Sequence, residues 1–482
     1  MNKLLSSVAA LLLMLPTAVL AQDYSKYYEN LPTKVAQVSR PTIPANELSI
    51  TEVGGVGDGI TLNTDAFKQA IDALAKQGGG RLNVPLGVWL TGPIQLKSNI
   101  ELHLDKNAII QMSPDKSLFE NPKSSRCYPG ISANKCQNIA ITGQGIIDGN
   151  GNHWRPVKRQ KVSDVEWKMY KNVIGGQEAD GGKLWYPYTC KADLSNAADE
   201  AAKQKMLLKD LKKQEGKRAD LVRFESCENI LVEGVTIQNS PRFHLHPCYS
   251  KNVIIDGVTV RCPWNAQNGD AIDFSDVNVG IIVNSIVDAG DDGLCMKSGT
   301  LKPQAPANGC ADIIIQDNTV YHAHGGFVLG SETVSGMKRI VVRNNRFSGT
   351  DTGIRFKSNL GRGGKTEQMF ISNIVMNDIK DEAIVIQCDY MDRPAGSNPN
   401  AVPTFTDEER EVAPFFQDIH INNVVCYGAN TGIKASGILG LDNVKNVDIQ
   451  NTTIVYRKTD KQIDEKTAKL KLTNVKLVSK KQ

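Results

Sequence analysis

Three candidate catalytic carboxylates (Asp270, Asp291 and Asp292), one imidazole and two fixed positive charges fall in four short segments: Asn268-Gly-Asp-Ala-Ile-Asp273, Gly290-Asp-Asp-Gly293, Ala323-His-Gly-Gly326 and Arg355-Phe-Lys357. Together they are an inventory for hydrolysing a glycosidic bond beside an acidic sugar. One carboxylic acid protonates the leaving oxygen, a carboxylate activates water, and cations hold the sugar's own carboxylate. Asp291 and Asp292 follow Asp270 by 21 and 22 residues, close to one structural repeat, so all three are expected on one face. Three carboxylates this close repel, and at least one should keep its proton at neutral pH. That is a general way to place an acid beside a base. A lone Asp-Asp more often marks a turn or a calcium site; three Asp in adjacent repeats reverse that preference.

His324 falls one repeat further on, and Gly325-Gly326 leave room for a ligand to approach the backbone. His322 shares its face by alternation and serves as an internal control, since one of the two is expected to be structural. Arg355 and Lys357 flank Phe356, so on a strand both point outward while Phe356 points in. In isolation such a pair is a solvated face. Beside an acidic cluster it suits a substrate carboxylate, Arg by its fork and Lys as a point charge.

The elements that must position these residues are visible as a repeat. Asn138-Ile-Ala-Ile141, Asn229-Ile-Leu-Val232, Asn252-Val-Ile-Ile255, Asp312-Ile-Ile-Ile315, Arg339-Ile-Val-Val342, Asp418-Ile-His-Ile421 and Asn446-Val-Asp-Ile449 are versions of one apolar strand. A second short strand follows each. Its ends, Ile237, Val260, Val287, Val320, Phe347 and Met376, are spaced by 23, 27, 33, 27 and 29 residues. Strand repeats of this length with no helices between them predict coils stacked through parallel strands, an all-β, right-handed parallel β-helix. A β-sandwich would turn at shorter intervals and lack the repeating unit. The Asn residues suit left-handed backbone or stacked side-chain ladders. Asn63 or Thr64 opens a predicted capping helix running to about Lys76, with Ala66, Phe67, Ala70, Ile71 and Leu74 on one face and Gly78-Gly-Gly80 as its stop. Such a helix covers the first open layer of a solenoid.

Two long loop insertions interrupt the array. One, at about 153–222, holds Trp154, Trp167, Trp185, Tyr186 and Tyr188 and continues into a charged helix near 197–213. The other, at about 389–415, carries Pro394, Pro399, Pro403 and Pro414. The start, Met1-Asn-Lys3 followed by an apolar run to Leu20 and Val19-Leu-Ala21, predicts a signal peptide over 1–21 cleaved after Ala21, and hence export to the periplasm or cell exterior. A leader over 22–45 and a single β-helix domain over 46–482 complete the expected organisation. No later segment has the apolar length of a membrane span. The net charge of +4 is compatible with a polyanionic substrate and equally with an ordinary solvated surface. Ten Cys are sparse for this length; most are expected as buried small hydrophobes, with Cys127 and Cys136 the pair most worth testing as a disulfide.

These motifs resemble those of the polygalacturonases and related pectin hydrolases of glycoside hydrolase family 28. That family's marks are Asn-Thr-Asp, Gly-Asp-Asp, Gly-His-Gly and Arg-Ile-Lys. Here, in the same order, stand Asn268-Gly269-Asp270, Gly290-Asp291-Asp292, Ala323-His324-Gly325 and Arg355-Phe356-Lys357. The resemblance covers about residues 50–455, and the departures Gly269, Ala323 and Phe356 remove no functional group. It implies an inverting hydrolase with Asp291 as general acid, Asp270 and Asp292 activating water, and His324 supporting the acid. Arg355 and Lys357 would bind galacturonate, with Asn268, Tyr390 and His246 as further substrate contacts. It implies no metal or other cofactor, a pectic polysaccharide or oligogalacturonide as partner, no nucleic acid and a monomer. The aromatic insertion suits sugar faces and is bulky enough to wall off one end of the groove, so exo-action is expected. The competing readings are a calcium-dependent pectate lyase using the Asp cluster, and a non-catalytic glycan-binding β-helix.

Overall fold

The computed structural model describes residues 23–299, 309–390, 406–408 and 412–480. The expected signal peptide, and Pro394, Pro399 and Pro403 of the second insertion, lie outside the described residues. Thirty strands form one sheet in which each successive coil pairs parallel with the last. The architecture is a parallel β-helix, and each coil contributes to three ladders.

Ladder I contains the sequence repeat: Gln137–Gly143, Glu228–Glu233, Lys251–Asp256, Asn278–Val283, Cys310–Gln316 and Met337–Arg343 pair in that order. Ladder II contains the second strands. Ile237, Val260, Val287, Val320, Phe347 and Met376 stand in mutual register and are fully buried, as their spacing predicts. Ladder III was not legible as a repeat. It stacks Ile131–Asn134, Val222–Glu225, Leu245–Cys248, Ile272–Ser275, Leu294–Ser298, Gly325–Thr333, Thr352–Lys357 and Glu382–Gln387.

Each ladder I strand enters through one left-handed residue. Asn138, Asn229 and Asn252 have φ of 53°, 59° and 56°, a region Asn tolerates well. Their side chains bond each other at 3.0 and 2.8 Å, so the amides form the expected ladder. Two coils escaped the sequence pattern because Val279 and Gln368 occupy this left-handed position instead, at φ 60° and 56°.

Helix α1, Thr64–Lys76, covers the open end of the first coils with Phe67, Ala70, Ile71 and Leu74. Asn63 does not cap it; its side chain accepts from Val56 N–H at 2.8 Å and ties down the glycine-rich turn. The segment before the first strand packs as a strap. Tyr24, Tyr27 and Val35 cover an outward apolar row of ladder I, and Tyr24 Oη donates to Asp256 at 3.0 Å.

The first insertion leaves and re-enters without disturbing the stack, since Ile131–Asn134 pairs directly with Val222–Glu225. It carries α2 (Asp164–Lys171), α3 (Glu200–Glu215) and a small antiparallel sheet of Val157–Lys158, Leu184–Tyr186 and Gln177–Ala179. Its aromatic residues do not form a sugar platform. Trp167 and Trp185 pack with Val157 and Val162, Tyr186 packs with Leu207 and Leu211, and Trp154 joins the main core. A small excursion needs large side chains to make any core of its own. No disulfide joins cysteines of the described residues, and eight of the ten cysteines are buried. Cys127 and Cys136 are not bonded to each other. Cys136 instead meets Cys227 of the next coil, its N–H lying 3.5 Å from Cys227 Sγ.

Candidate active site

Ladder III positions the site by strand alternation. Inward, Ile272, Leu294, Phe327, Ile354 and Ile384 stack in register. Just before these strands the chain turns outward, and the turns are tied coil to coil. Ala271 N–H donates to Asp292 O at 2.9 Å, His324 N–H to Asp291 O at 2.9 Å, and Asp351 N–H to Ala323 O at 2.7 Å. Asp270, Asp291, Asp292, His324, Arg355, Lys357, Asn268 and Tyr390 therefore line one pocket of about 540 Å³. His322, the internal control, faces away and contacts Asp288 at 3.2 Å.

The three carboxyls differ in setting. Asp292 Oδ2 accepts from Lys357 Nζ at 2.8 Å, with Arg355 Nη1 4.0 Å from its other oxygen. Asp270 Oδ2 accepts from Lys297 Nζ at 2.9 Å, and Lys297 also donates to Asp273. Asp291 Oδ1 accepts from His324 Nδ1 at 3.0 Å and from Asp292 N–H at 3.0 Å, and its Oδ2 from Asn268 N–H at 3.2 Å. The Asp291 side chain is 19% exposed, against 5% for Asp270 and 3% for Asp292. Of the three it is the most open to the pocket.

Their protonation follows these surroundings. Burial, with Asp273, Asp291 and Asp292 nearby, pushes Asp270 well above the usual carboxyl range against the opposing charge of Lys297. Burial would also raise Asp291, but the His324 hydrogen bond and the charges of His324, Lys357 and Lys297 outweigh it and pull Asp291 down. One carboxyl of the cluster does favour its proton, as the sequence predicts. In the protein's own field that carboxyl is Asp270 rather than Asp291.

Several expected roles change in detail. Lys357 is nearly buried against Asp292 rather than free, and burial is outweighed by Asp292 in raising its pKa. Asn268 contributes its backbone N–H to Asp291, while its side-chain oxygen accepts from Arg218 of the insertion at 3.1 Å. Tyr390 lies over both cations, 5.5 Å from Arg355 and 5.6 Å from Lys357. His246 is not in this pocket. It is buried next door, with Nδ1 2.7 Å from Asp220 and Nε2 2.8 Å from Ser275 Oγ. The histidine that touches the site from that segment is His244, whose Nδ1 lies 2.9 Å from Asp270 O. Burial lowers His244 to about 4, so it is neutral and donates through Nδ1.

Two cations that touch the catalytic side chains themselves escaped the sequence reading. Lys297 sits at an outward position of Leu294-Cys-Met-Lys-Ser298, and alternation from Leu294 and Met296 would have found it. Lys161 comes from the first insertion, with Nζ 3.1 Å from His324 Nε2. Nothing in the local sequence signals that reach.

Asp291, Asp292 and His324 offer ligand atoms within 4.8 Å of one another. Calcium takes six to eight oxygen ligands. Here one donor is a nitrogen, and both carboxylates already accept from Lys357, His324 or backbone N–H. The donor set fits calcium poorly, which weighs against the lyase reading.

The sequence matches the glycosyl hydrolases family 28 over residues 201–471. The chain belongs to that family. It is 30% identical to a hyperthermoactive exopolygalacturonase from Thermotoga maritima, with 92% of this chain and 94% of that one covered and a TM-score of 0.72. It is 28% identical over 411 residues to an exo-poly-alpha-D-galacturonosidase of Dickeya chrysanthemi, covering 81% of this chain but only 64% of that protein's length. An endo-polygalacturonase of Pectobacterium carotovorum subsp. carotovorum is 30% identical over 330 residues, 66% of this chain and 69% of that protein. Both exo- and endo-acting members thus stand among the relatives of this family 28 chain.

Proposed function

We propose that the protein hydrolyses α-1,4-galacturonosidic bonds in pectic polysaccharide or oligogalacturonides, with inversion, and that it cuts from chain ends. The observation that carries the chemistry is the division of labour among the carboxyls. Asp270 and Asp292 are each secured by a lysine, while Asp291, the most exposed of the three, opens into the pocket beside His324. Asp291 is therefore the group that can reach a glycosidic oxygen and protonate it. Asp270 and Asp292 flank the attacking water, and whichever of the pair is ionised takes its proton. Arg355, with Tyr390 over it, receives the uronate carboxylate, and Lys357 acts chiefly through Asp292. A uronate seated on Arg355 cancels part of the positive field around Asp291 and adds a negative charge. Both changes raise the proton affinity of Asp291.

End-cutting is supported by Lys161. An insertion that brings Lys161 Nζ to 3.1 Å from His324 Nε2 would stand in the way of a chain lying straight along the cleft. The exopolygalacturonase of Thermotoga maritima at 30% identity supports the same reading. The first 21 residues support export, and the protein acts as a monomer on its substrate.

The test is a time course on polygalacturonate, with viscosity and reducing ends followed together. Monomer or one short product should appear from the start while viscosity falls slowly. Loss of most viscosity when only a few per cent of bonds are cut would reject exo-action. Absence of any reducing ends would reject the hydrolase.

A further inference from the structure

A small pocket of about 210 Å³ opens beside the catalytic one and shares Arg242, Phe243, Lys297 and Glu332 with it. Three groups that the glycosidase chemistry does not use meet at its wall. Ladder III carries them on successive coils: Asp220 just before Val222–Glu225, His246 in Leu245–Cys248 and Ser275 in Ile272–Ser275. His246 Nδ1 lies 2.7 Å from Asp220 Oδ2, and its Nε2 lies 2.8 Å from Ser275 Oγ. His246 and Ser275 both line the pocket, and Ser275 is half-buried.

These contacts fix the imidazole tautomer. A carboxylate 2.7 Å from Nδ1 cannot face a lone pair, so Nδ1 carries the proton and donates to Asp220. Nε2 keeps its lone pair and accepts from the Ser275 hydroxyl. Arg223 Nη1, 3.0 Å from His246 Nδ1, is also 3.0 Å from Asp220 Oδ2 and donates there. Burial would raise the Asp220 carboxyl, but His246, Arg242 and Arg223 hold it well below the usual range. Burial lowers His246 against the pull of Asp220, so the ring is neutral and can take a proton. A hydroxyl held on an imidazole, itself held on a carboxylate, is the arrangement that activates serine for acyl transfer on unrelated folds. Arg242 can serve the oxyanion. Its Nη1 is tied to Asp220 Oδ1 at 2.9 Å, and among the described residues its other guanidinium N–H groups have no hydrogen-bond partner.

We propose that Ser275, His246 and Asp220 carry a second activity, the removal of O-acetyl groups from an acidic sugar chain. The pocket is smaller than the about 300–1,000 Å³ of sites that enclose drug-sized ligands. It therefore suits a small acyl group better than an acyl group that is itself a sugar, which favours an acetyl ester over the methyl ester of a uronate. Arg223, Arg242 and Lys297 in its lining suit a chain that carries carboxylates. Ser275 Oγ attacks the acetyl carbonyl carbon while His246 Nε2 takes the hydroxyl proton. The bond from that carbon to the sugar oxygen breaks, and the sugar oxygen leaves with the proton from His246. Water then attacks the same carbon and gives a proton to His246. The acyl bond to Ser275 breaks, Oγ regains its proton, and acetic acid departs. Asp220 positions the ring and stabilises its charged form. The choice of an acidic sugar chain rests on the galacturonide reading above; the triad does not.

The test measures acetate released from O-acetylated polygalacturonate, alongside reducing ends released from unacetylated polygalacturonate. The wild-type protein should release acetate. Ser275→Ala should lower that rate by about 10³-fold or more and leave the production of reducing ends unchanged. Asp220→Asn should lower kcat for acetate release with KM little altered, since it disturbs the base and not the binding of the ester. A measurement that needs no variant is labelling of the wild-type protein with an alkyl fluorophosphonate, which should place one phosphonyl group on Ser275 by peptide mass spectrometry. No acetate from the wild-type protein, acetate release that survives Ser275→Ala, or no label on Ser275 would each overturn the proposal. Acetate release with no reducing ends from polygalacturonate would leave the triad standing and overturn the glycosidase reading instead.

Discussion

Ladder I and ladder III obey one rule of alternation and put it to opposite uses. On ladder I the outward row is Ala140, Leu231, Ile254, Ile281, Ile314 and Val341, in register from coil to coil and apolar throughout. Such a face cannot be left wet, and the N-terminal strap of Tyr24, Tyr27 and Val35 covers it. On ladder III the outward positions include Arg223, His246, Asp273, Lys297, Arg355 and Lys357. Among the described residues no strap crosses them. Their burial is achieved singly, by ion pairs such as Lys297 with Asp270 and Lys357 with Asp292. Burial on one face stabilises the tube, and burial on the other perturbs the proton affinities of groups that do chemistry. The outward row, more than the coil, decides which face becomes a site.

The sharpest way to break this contrast is to neutralise the most open of the three clustered carboxyls. Asp291→Asn keeps an oxygen to accept from His324 and removes the proton donor. Turnover on galacturonides should fall by about 10²–10⁴-fold, with the melting temperature little changed. A variant keeping a tenth of wild-type turnover would remove Asp291 from the role of acid. The opposite face should respond in the opposite currency. Ile254→Ala, under the strap, should lower stability by about 2–5 kcal/mol and leave kcat per folded molecule unaltered. A fall in kcat without a fall in stability would mean that the two faces are coupled.

Ladders I and II could be read in the sequence because each repeat shows an inward apolar pattern at nearly constant spacing. Ile237 to Met376 is the plainest case. The reading lost coils where Val279 or Gln368 took the left-handed position that Asn, Asp or Arg marks elsewhere. Ladder III was legible only through its chemistry. Its outward charges disrupt the apolar signature, so Asp270, Asp291, Asp292, His324 and Arg355 were found as motifs and not as a strand array. Lys161 and Arg218 reach the site from an excursion whose path is set by its own small cores, and no local pattern records that. The same cores explain why Trp167, Trp185 and Tyr186 point inward, although their composition alone suggests a surface for sugars. The family resemblance points to His246, whereas His244 is the histidine of that segment that touches Asp270. Both are buried in one short segment, and only the coil register shows which of them meets Asp270.

Lys297 offers the smallest and most discriminating change, because it tests whether ladder III buries charge for chemistry or only for packing. Lys297→Met preserves much of the side-chain volume and removes the cation between Asp270 and Asp273. Asp270 already sits above the usual carboxyl range through burial, and Lys297 is the charge that opposes the rise. Its removal must move Asp270 further up. If Asp270 has to be ionised to activate water, the acidic limb of the kcat/KM profile should shift to higher pH, on the order of one unit, equivalent to about 1.4 kcal/mol. Stability should follow the same sign. A carboxyl whose pKa is raised by folding contributes fully below its unfolded value, and that contribution is lost as pH rises through its folded value. The stability deficit of Lys297→Met relative to wild type should therefore be greatest near neutral pH and shrink as the solution is acidified. Lys297→Arg, which restores a positive charge, should return the limb toward its original position. An acidic limb that stays in place in Lys297→Met, with stability reduced equally at all pH values, would show that Lys297 packs the coil and does not tune the base.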